Sequence, residues 1–450
     1  MRYGCKWAAG LILTLAGAAQ AGELKQISAD PYSNSSSQHR TELEPDAFAY
    51  GSTVVASFQV GRFMGGGSSN IGWSTSRDGG NTWTVGFLPH TTKYAEGPYD
   101  RISDPSVAYD LAHDTWMIST LPIFNEATPN NPGVAVSLST DGGASWGDLL
   151  PISARGANDK NWTVCDNSPV SRYFGHCYTE WDDEQGRVLM STSDDGGHTW
   201  TAGKFTADQV RGLGGQPLVQ PNGTVIVPIW EWEDSIHVFR STDGGESWSH
   251  STLVSSAFHH KAAGNLRAPA LPAARLDSEG MLYLVWSDCR FQPGCKANDL
   301  VMMTSPDGLR WSDVERIPID PVGSGVDHLT SGLGVDPASS GNRAALAVTY
   351  FYYPKADCTT ETCALRVGFI SSRTGGATWI RSPDLAGPMK ITWLPNTSGG
   401  LMYGDYLAVP ILNHKAFPIF AVAQAPKDGI FDLGMYTVGA GLNLGVSDED

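Results

Sequence analysis

The chain alternates short apolar, β-branched runs with turns rich in Gly, Pro, Asn and Asp, and helical periodicity is nearly absent. Six of the runs end alike: NIGWSTS, GVAVSLS, VLMSTS, HVFRS, LVMMTS and RVGFISS each lead into a tight polar turn closed by tryptophan. Four turns are near-copies, SRDGGNTW, STDGGASW, SDDGGHTW and STDGGESW, ending at Trp83, Trp146, Trp200 and Trp248. SPDGLRW, ending at Trp311, is one residue short, and SRTGGATW, ending at Trp379, replaces the aspartate with Thr374. Each predicts a hairpin. The aspartate accepts amide hydrogen bonds inside its own turn, the glycines tolerate positive φ, and the indole fills the gap to a neighbouring sheet.

Two further strand-like runs precede each hairpin, such as DAFAYG and TVVASFQV in the first unit and LPAARLD and MLYLVWSD in the fifth. Four strands per unit, repeated along one chain, predict an all-β fold, a β-propeller of four-stranded blades. Residues 403–425 read as the first two strands of a unit that lacks the turn, and MYTVGAGLNL completes it or closes the ring. Seven blades are therefore favoured, with six as the alternative. Residues 22–450 form a single domain in this reading.

The pattern S-x-D-x-G-x-T-W resembles the Asp-box, or BNR repeat, of the sialidase-like propellers, across most of residues 40 to 425. The resemblance implies that the repeats are structural and lie on the face away from the active site. Loops opening each first strand, and leaving each second strand, then gather around the axis on the opposite face. Those positions hold Glu44, Asp46, Arg101, Asp104, Asp159, Lys160, Trp162, Arg267, Asp327, His328, Asp405 and Tyr406, with Arg62, Glu180, Trp181, Glu231, Asp288 and Arg290 at the second-strand exits.

The N-terminus sets the compartment. Arg2 and Lys6 precede a short apolar stretch, and Ala19-Gln20-Ala21 is a small-x-small cleavage site, so residues 1–21 read as a signal peptide. The protein is expected to be secreted or periplasmic. Acidic residues outnumber basic ones by 47 to 30, which disfavours nucleic acid and anionic membranes as partners. No other apolar run is long enough to span a membrane. Cys5 leaves with the leader. The remaining cysteines fall into three local pairs, 165/177, 289/295 and 358/363, which suggests disulfides in an exported chain.

The resemblance also sets the chemistry to look for. A sialidase grips its substrate's carboxylate with clustered arginines, and Arg62, Arg101, Arg267 and Arg290 are the candidates. It uses a tyrosine nucleophile, here Tyr406 on the last unit, helped by a glutamate, Glu180 or Glu231. Its acid/base would be Asp46 or Asp104. Trp162 and Trp181 are candidates to stack on sugar rings. One departure stands out: where sialidases open their first blade with Arg-Ile-Pro, this chain has Glu44-Pro45-Asp46. That opening favours a neutral sugar, a cation or a basic group. The letters Arg-Ile-Pro occur at 316–318, but behind a degenerate turn, which predicts an outer strand far from the axis. HExxH, Walker and GxSxG motifs are absent, and no cofactor is implied; structural calcium stays open. The expected function is that of an exported, glycan-active hydrolase acting on a glycan or glycoconjugate. The rivals are a propeller that only binds a glycan or protein, and a polysaccharide lyase.

Overall fold

A computed structural model describes residues 22–125, 132–154, 158–232 and 234–445. The signal-peptide reading of residues 1–21 lies outside the described residues. Within them the chain is all-β and fits a β-propeller, and no helix is long and apolar enough to cross a membrane.

The repeat units emerge as antiparallel sheets. Asp159–Cys165, Cys177–Asp182, Val188–Ser193 and Lys204–Phe205 pair in that order, as do Ala273–Leu276, Leu282–Asp288, Asp299–Ser305 and Glu315–Arg316. The second of these places Arg316 on an outermost strand, as its position behind a degenerate turn implies. The first two units merge into a larger sheet through Ser68↔Ile102. Neighbouring sheets cover both faces of the inner strands, while outer strands such as Thr84–Phe87 stay partly exposed. All nine residues of Ser68–Ser76 are buried, which is why such strands read as near-continuous apolar or small-residue runs rather than as clean alternation.

The Asp-Gly-Gly turns have the predicted chemistry. In the first, the Asp78 carboxylate accepts from Thr82 N at 2.8 Å, Thr82 Oγ1 at 2.7 Å and Ser76 Oγ at 2.9 Å. Gly80 N donates to Ser76 Oγ at 2.8 Å, and the Trp83 indole donates to Gly80 O at 3.1 Å. In the degenerate sixth copy Thr374 Oγ1 takes the aspartate's place and accepts from Thr378 N at 2.8 Å. These turns also join units. A Cβ on Gly143 would lie 2.7 Å from Val55, and one on Gly80 would lie 2.1 Å from Phe417, so the backbone must approach its neighbour where only glycine fits.

The two ends of the described chain meet. Leu24–Gln26 pairs antiparallel with Ile430–Val438, and Thr41 pairs with Leu433 beside it. Ile27 N donates to Met435 O at 2.9 Å, while Ser28 Oγ accepts from Met435 N at 2.8 Å and donates to Glu42 Oε2 at 2.7 Å. The last unit departs from expectation. Residues 403–425 give a two-residue hairpin, Ile411–Leu412 with Lys415–Ala416, and the strand Phe420–Lys427, instead of two long strands. Gly404 and Pro410 interrupt the first run, and proline cannot donate to a ladder. QPLVQ likewise shrinks to Leu218–Val219.

Ile27 is fully buried at this junction. Ile27→Ala is expected to cost about 2–4 kcal/mol, read as a lower urea midpoint with an unchanged slope.

Candidate active site

Three innermost strands open with the same device. Glu44, Asp104 and Lys160 adopt left-handed backbone conformations, with φ of 56°, 47° and 49°. Each sits at a break in strand register: Leu43/Asp46, Ser103/Ser106 and Asp159/Trp162. A bulge adds one residue and re-aims its side chain. Pro45 and Pro105 follow two of these residues and withhold a ladder donor where the bulge needs none. Non-glycine residues adopt this conformation at a cost that surrounding structure must offset, and such positions concentrate at functional sites.

The bulges empty into one cleft of about 390 Å³. It collects eight of the sequence-derived candidates: Glu44, Arg62, Arg101, Asp104, Asp159, Lys160, Arg267 and Asp405. Three of the four candidate arginines therefore converge. Arg267 grips Asp405 in a two-pronged pair, Nε to Oδ1 at 2.9 Å and Nη2 to Oδ2. Arg62 donates to Gln59 Oε1 at 2.7 Å and lies 3.8 Å from Glu44, which also accepts from Gln59. Arg101 differs. Its Nη1 donates to two backbone carbonyls, Gly66 O at 2.6 Å and Gly65 O at 3.2 Å, and it has no carboxylate in the ion pairs of the described residues.

Charge is crowded here. Burial, then Asp104, raises the Glu44 carboxyl well above its ordinary range, with Arg62 pulling the other way. Asp159 keeps contact with solvent at the mouth, yet protein packs densely around it; burial first and Asp104 second push it up to about 6.

Beneath the cleft lies a second layer. Tyr406 is only 4% exposed, and its hydroxyl donates to Asp104 Oδ1 at 3.2 Å. The Lys160 ammonium sits 3.7 Å from the Tyr406 ring centre and 4.0 Å from that of Trp162. Glu180 is fully buried. It packs against Gly215, where a Cβ would collide with its carboxyl carbon at 2.4 Å, and neither oxygen makes a well-formed hydrogen bond. Burial pushes it up to about 8, with Lys160 opposing. Asp182, in the DDE stretch that reads as a solvated turn, is instead buried; burial and then Asp159 push it up to about 9. Only its neighbour Asp183 caps the turn, accepting from Gln185 N and Arg187 N. Asp182 and Gln59 are absent from the sequence candidates because Asp182 reads as part of a turn and Gln59 lies inside a strand with no motif around it.

Deeper still, Asp46 accepts from Val107 N at 2.7 Å and Ser106 Oγ at 3.1 Å. With Trp162 and Arg275 it lines a separate cavity of about 780 Å³, ringed by the turns after the innermost strands. That cavity opens on the Asp-Gly-Gly face, since Gly79 N donates to Ser52 O in such a turn at 3.0 Å. Asp46 thus stands away from the cleft lining. Trp162 and Trp181 do not line the cleft. They are 5% and 2% exposed, Trp162 lies under Lys160, and Trp181 packs in a core with Met117 and Leu121, so neither presents its ring to the cleft.

The remaining candidates lie outside the cleft lining. Asp288 and Arg290 pair with each other at 2.7 Å, Glu231 accepts from Ser235 Oγ at 3.2 Å, and Asp327 accepts from Asn298 N and Nδ2. His328 Nδ1 faces Asn298 O at 3.1 Å. Its Nε2 approaches Asp320, which with Asp299 makes a group able to hold a metal among the described residues. Arg316 already bridges both carboxylates at 2.7 Å each and supplies the positive charge there. The six paired cysteines form disulfides 165–177, 289–295 and 358–363.

No family model matches the chain, and no curated protein does. Solved structures do. A polysaccharide lyase described as a PL25 ulvan lyase, bound to a GlcA–Rha3S disaccharide unit, is 9% identical over 90% of this chain and 96% of its own, with a TM-score of 0.53. A protein of unknown function from Dyadobacter fermentans is 15% identical over 78% of this chain and 99% of its own, with a TM-score of 0.50. A Hadza microbial sialidase is 17% identical over 70% of this chain, with a TM-score of 0.47, and the chain spans 64% of that sialidase's length. At this low identity the chain shares its fold with that lyase and with the Dyadobacter protein.

Glu180 ionises near 4.5 in an unfolded chain and near 8 in the fold. Its contribution to stability is full below the first value and is lost as pH rises through the second. Glu180→Gln is expected to flatten part of the decline in urea midpoint across that interval; an unchanged slope would show that Glu180 ionises normally.

Proposed function

We propose that this chain is an exported, glycan-active enzyme acting on an anionic sugar held in the axial cleft, most simply as a glycoside hydrolase. In this reading seven four-stranded blades surround the axis. The observation that carries it is the convergence of Arg62, Arg101 and Arg267 on one cleft beside Asp104 and Asp159. A sugar carboxylate suits paired guanidinium groups, and Arg101, held by two backbone carbonyls and the Phe63 ring with no carboxylate in the ion pairs of the described residues, has charge to offer. Asp159, raised toward neutrality, is placed to protonate a leaving oxygen, while Asp104 accepts the Tyr406 proton and faces the substrate. This arrangement replaces the first-blade arginine with arginines from other positions, so Glu44 does not by itself impose a neutral substrate. Three disulfides suit an oxidising compartment outside the cytosol.

A lyase is the second reading. The adjoining Tyr406, Asp104 and Lys160 form a cluster suited to removing a proton next to a uronate carboxylate.

A panel of sialylated and uronate-containing glycans distinguishes these readings. A hydrolase releases reducing sugar alone, whereas a lyase also creates an absorbing double bond. On whichever substrate turns over, Arg101→Ala is expected to raise KM about tenfold or more, and Asp104→Asn to lower kcat about a hundredfold or more. Release of no product from any acidic glycan would overturn the enzymatic reading and leave a binding propeller.

A further inference from the structure

Lys160 is built in at a cost. Its backbone is left-handed, its side chain is 4% exposed, and its ammonium has no hydrogen-bond acceptor among the described residues. A lysine needed only for surface charge would reach water. Here the ammonium lies instead against two π faces, those of Trp162 and Tyr406, whose rings meet edge to face with centres 5.4 Å apart. The cation–π geometry is that of a desolvated charge. The Tyr406 hydroxyl, at the far edge of the same ring, donates to Asp104, which lines the cleft.

We propose that Lys160 is a positioning residue: its caged ammonium balances the negative charge of the Asp104–Tyr406 pair, so that a proton can move between the phenol and the carboxylate facing the cleft. The transfer breaks the Tyr406 O–H bond and forms one at Asp104 Oδ1, with no other reactant. The inference rests on the cleft being the reacting site.

The surroundings fit. Burial lowers the Lys160 affinity for its proton, while Asp104, Glu180, Glu44 and Asp46 act to hold it. These four carboxylates face it from three strands, Gln38–Tyr50, Arg101–Asp110 and Cys177–Asp182. Tyr406 is raised well above the usual phenol range by burial, then by Asp104, Glu44, Asp46 and Asp405. The acid groups oppose a phenolate, and the Lys160 ammonium, 3.7 Å from the ring centre, is placed to counter them.

The test is a difference titration on the full chain without substrate. The chain contains 15 tyrosines, so the phenolate absorbance of Tyr406 is isolated by subtracting Tyr406→Phe from wild type, and Lys160→Met/Tyr406→Phe from Lys160→Met. Lys160→Met is expected to raise the Tyr406 midpoint by about one pH unit or more, and Lys160→Arg to restore most of it. Equal midpoints with and without the cation would overturn the proposal. Should Lys160→Met not fold, the reciprocal coupling is read by carbon NMR of lysine-labelled protein, with the Lys160 signal identified by its loss in Lys160→Arg. Asp104→Asn is then expected to lower the pH at which Lys160 loses its proton by about one unit or more; an unmoved midpoint overturns the proposal equally. Neither titration involves a glycan. Failure here leaves the functional reading standing, and a glycan panel without product leaves the proton coupling standing.

Discussion

The inner strands of this protein are buried on both faces by neighbouring sheets, and that mutual burial is the constraint from which the rest follows. A strand such as Ser68–Ser76 has no solvent side. Its stability comes from what lies against it, and glycine-only contacts such as Gly80 on Phe417 set how closely units can approach. Packing of this kind fixes the openings of the inner strands relative to one another. Glu44, Asp104 and Lys160 belong to three separate strands, yet they share a cleft because those strands are held side by side.

The same packing makes charge expensive at the centre. Glu180, Asp182 and Glu44 are all raised chiefly by burial, and each is surrounded by further carboxylates. The cations that offset them are few and specifically placed. Arg267 answers Asp405, Arg62 answers Glu44, and Lys160 answers through aromatic rings instead of hydrogen bonds. A centre of this kind is suited to proton movement, since small changes in charge shift who holds the proton.

Much of the fold was legible in the sequence because it repeats. The Asp-Gly-Gly turns state their own hydrogen bonds, and Asp78 and its counterparts make them. Strand openings and exits were also readable by position once the repeat gave the topology: seven of the cleft residues lie at openings and Arg62 at an exit. What was not legible was depth. Asp46 and Asp104 both follow or precede a proline near a strand opening, yet one faces the cleft and the other lies toward the opposite cavity. A bulge moves a side chain by one position, and no letter in the sequence marks where it falls. Burial was equally hidden: Trp162 and Trp181 look like sugar platforms until neighbouring sheets cover them. The last unit misled because Gly404 and Pro410 break a run that apolar content alone would extend.

The pairing of Leu24–Gln26 with Ile430–Val438 has a consequence for the order of events in the cell. A ribosome makes Leu24–Gln26 long before Ile430–Val438. The intervening units can gather locally as they emerge, but the strand partner of Leu24–Gln26 is missing until Ile430–Val438 has been made. A truncated transcript would therefore yield a product with an open seam, whose unsatisfied strand edge is a target for proteases and for other copies of itself.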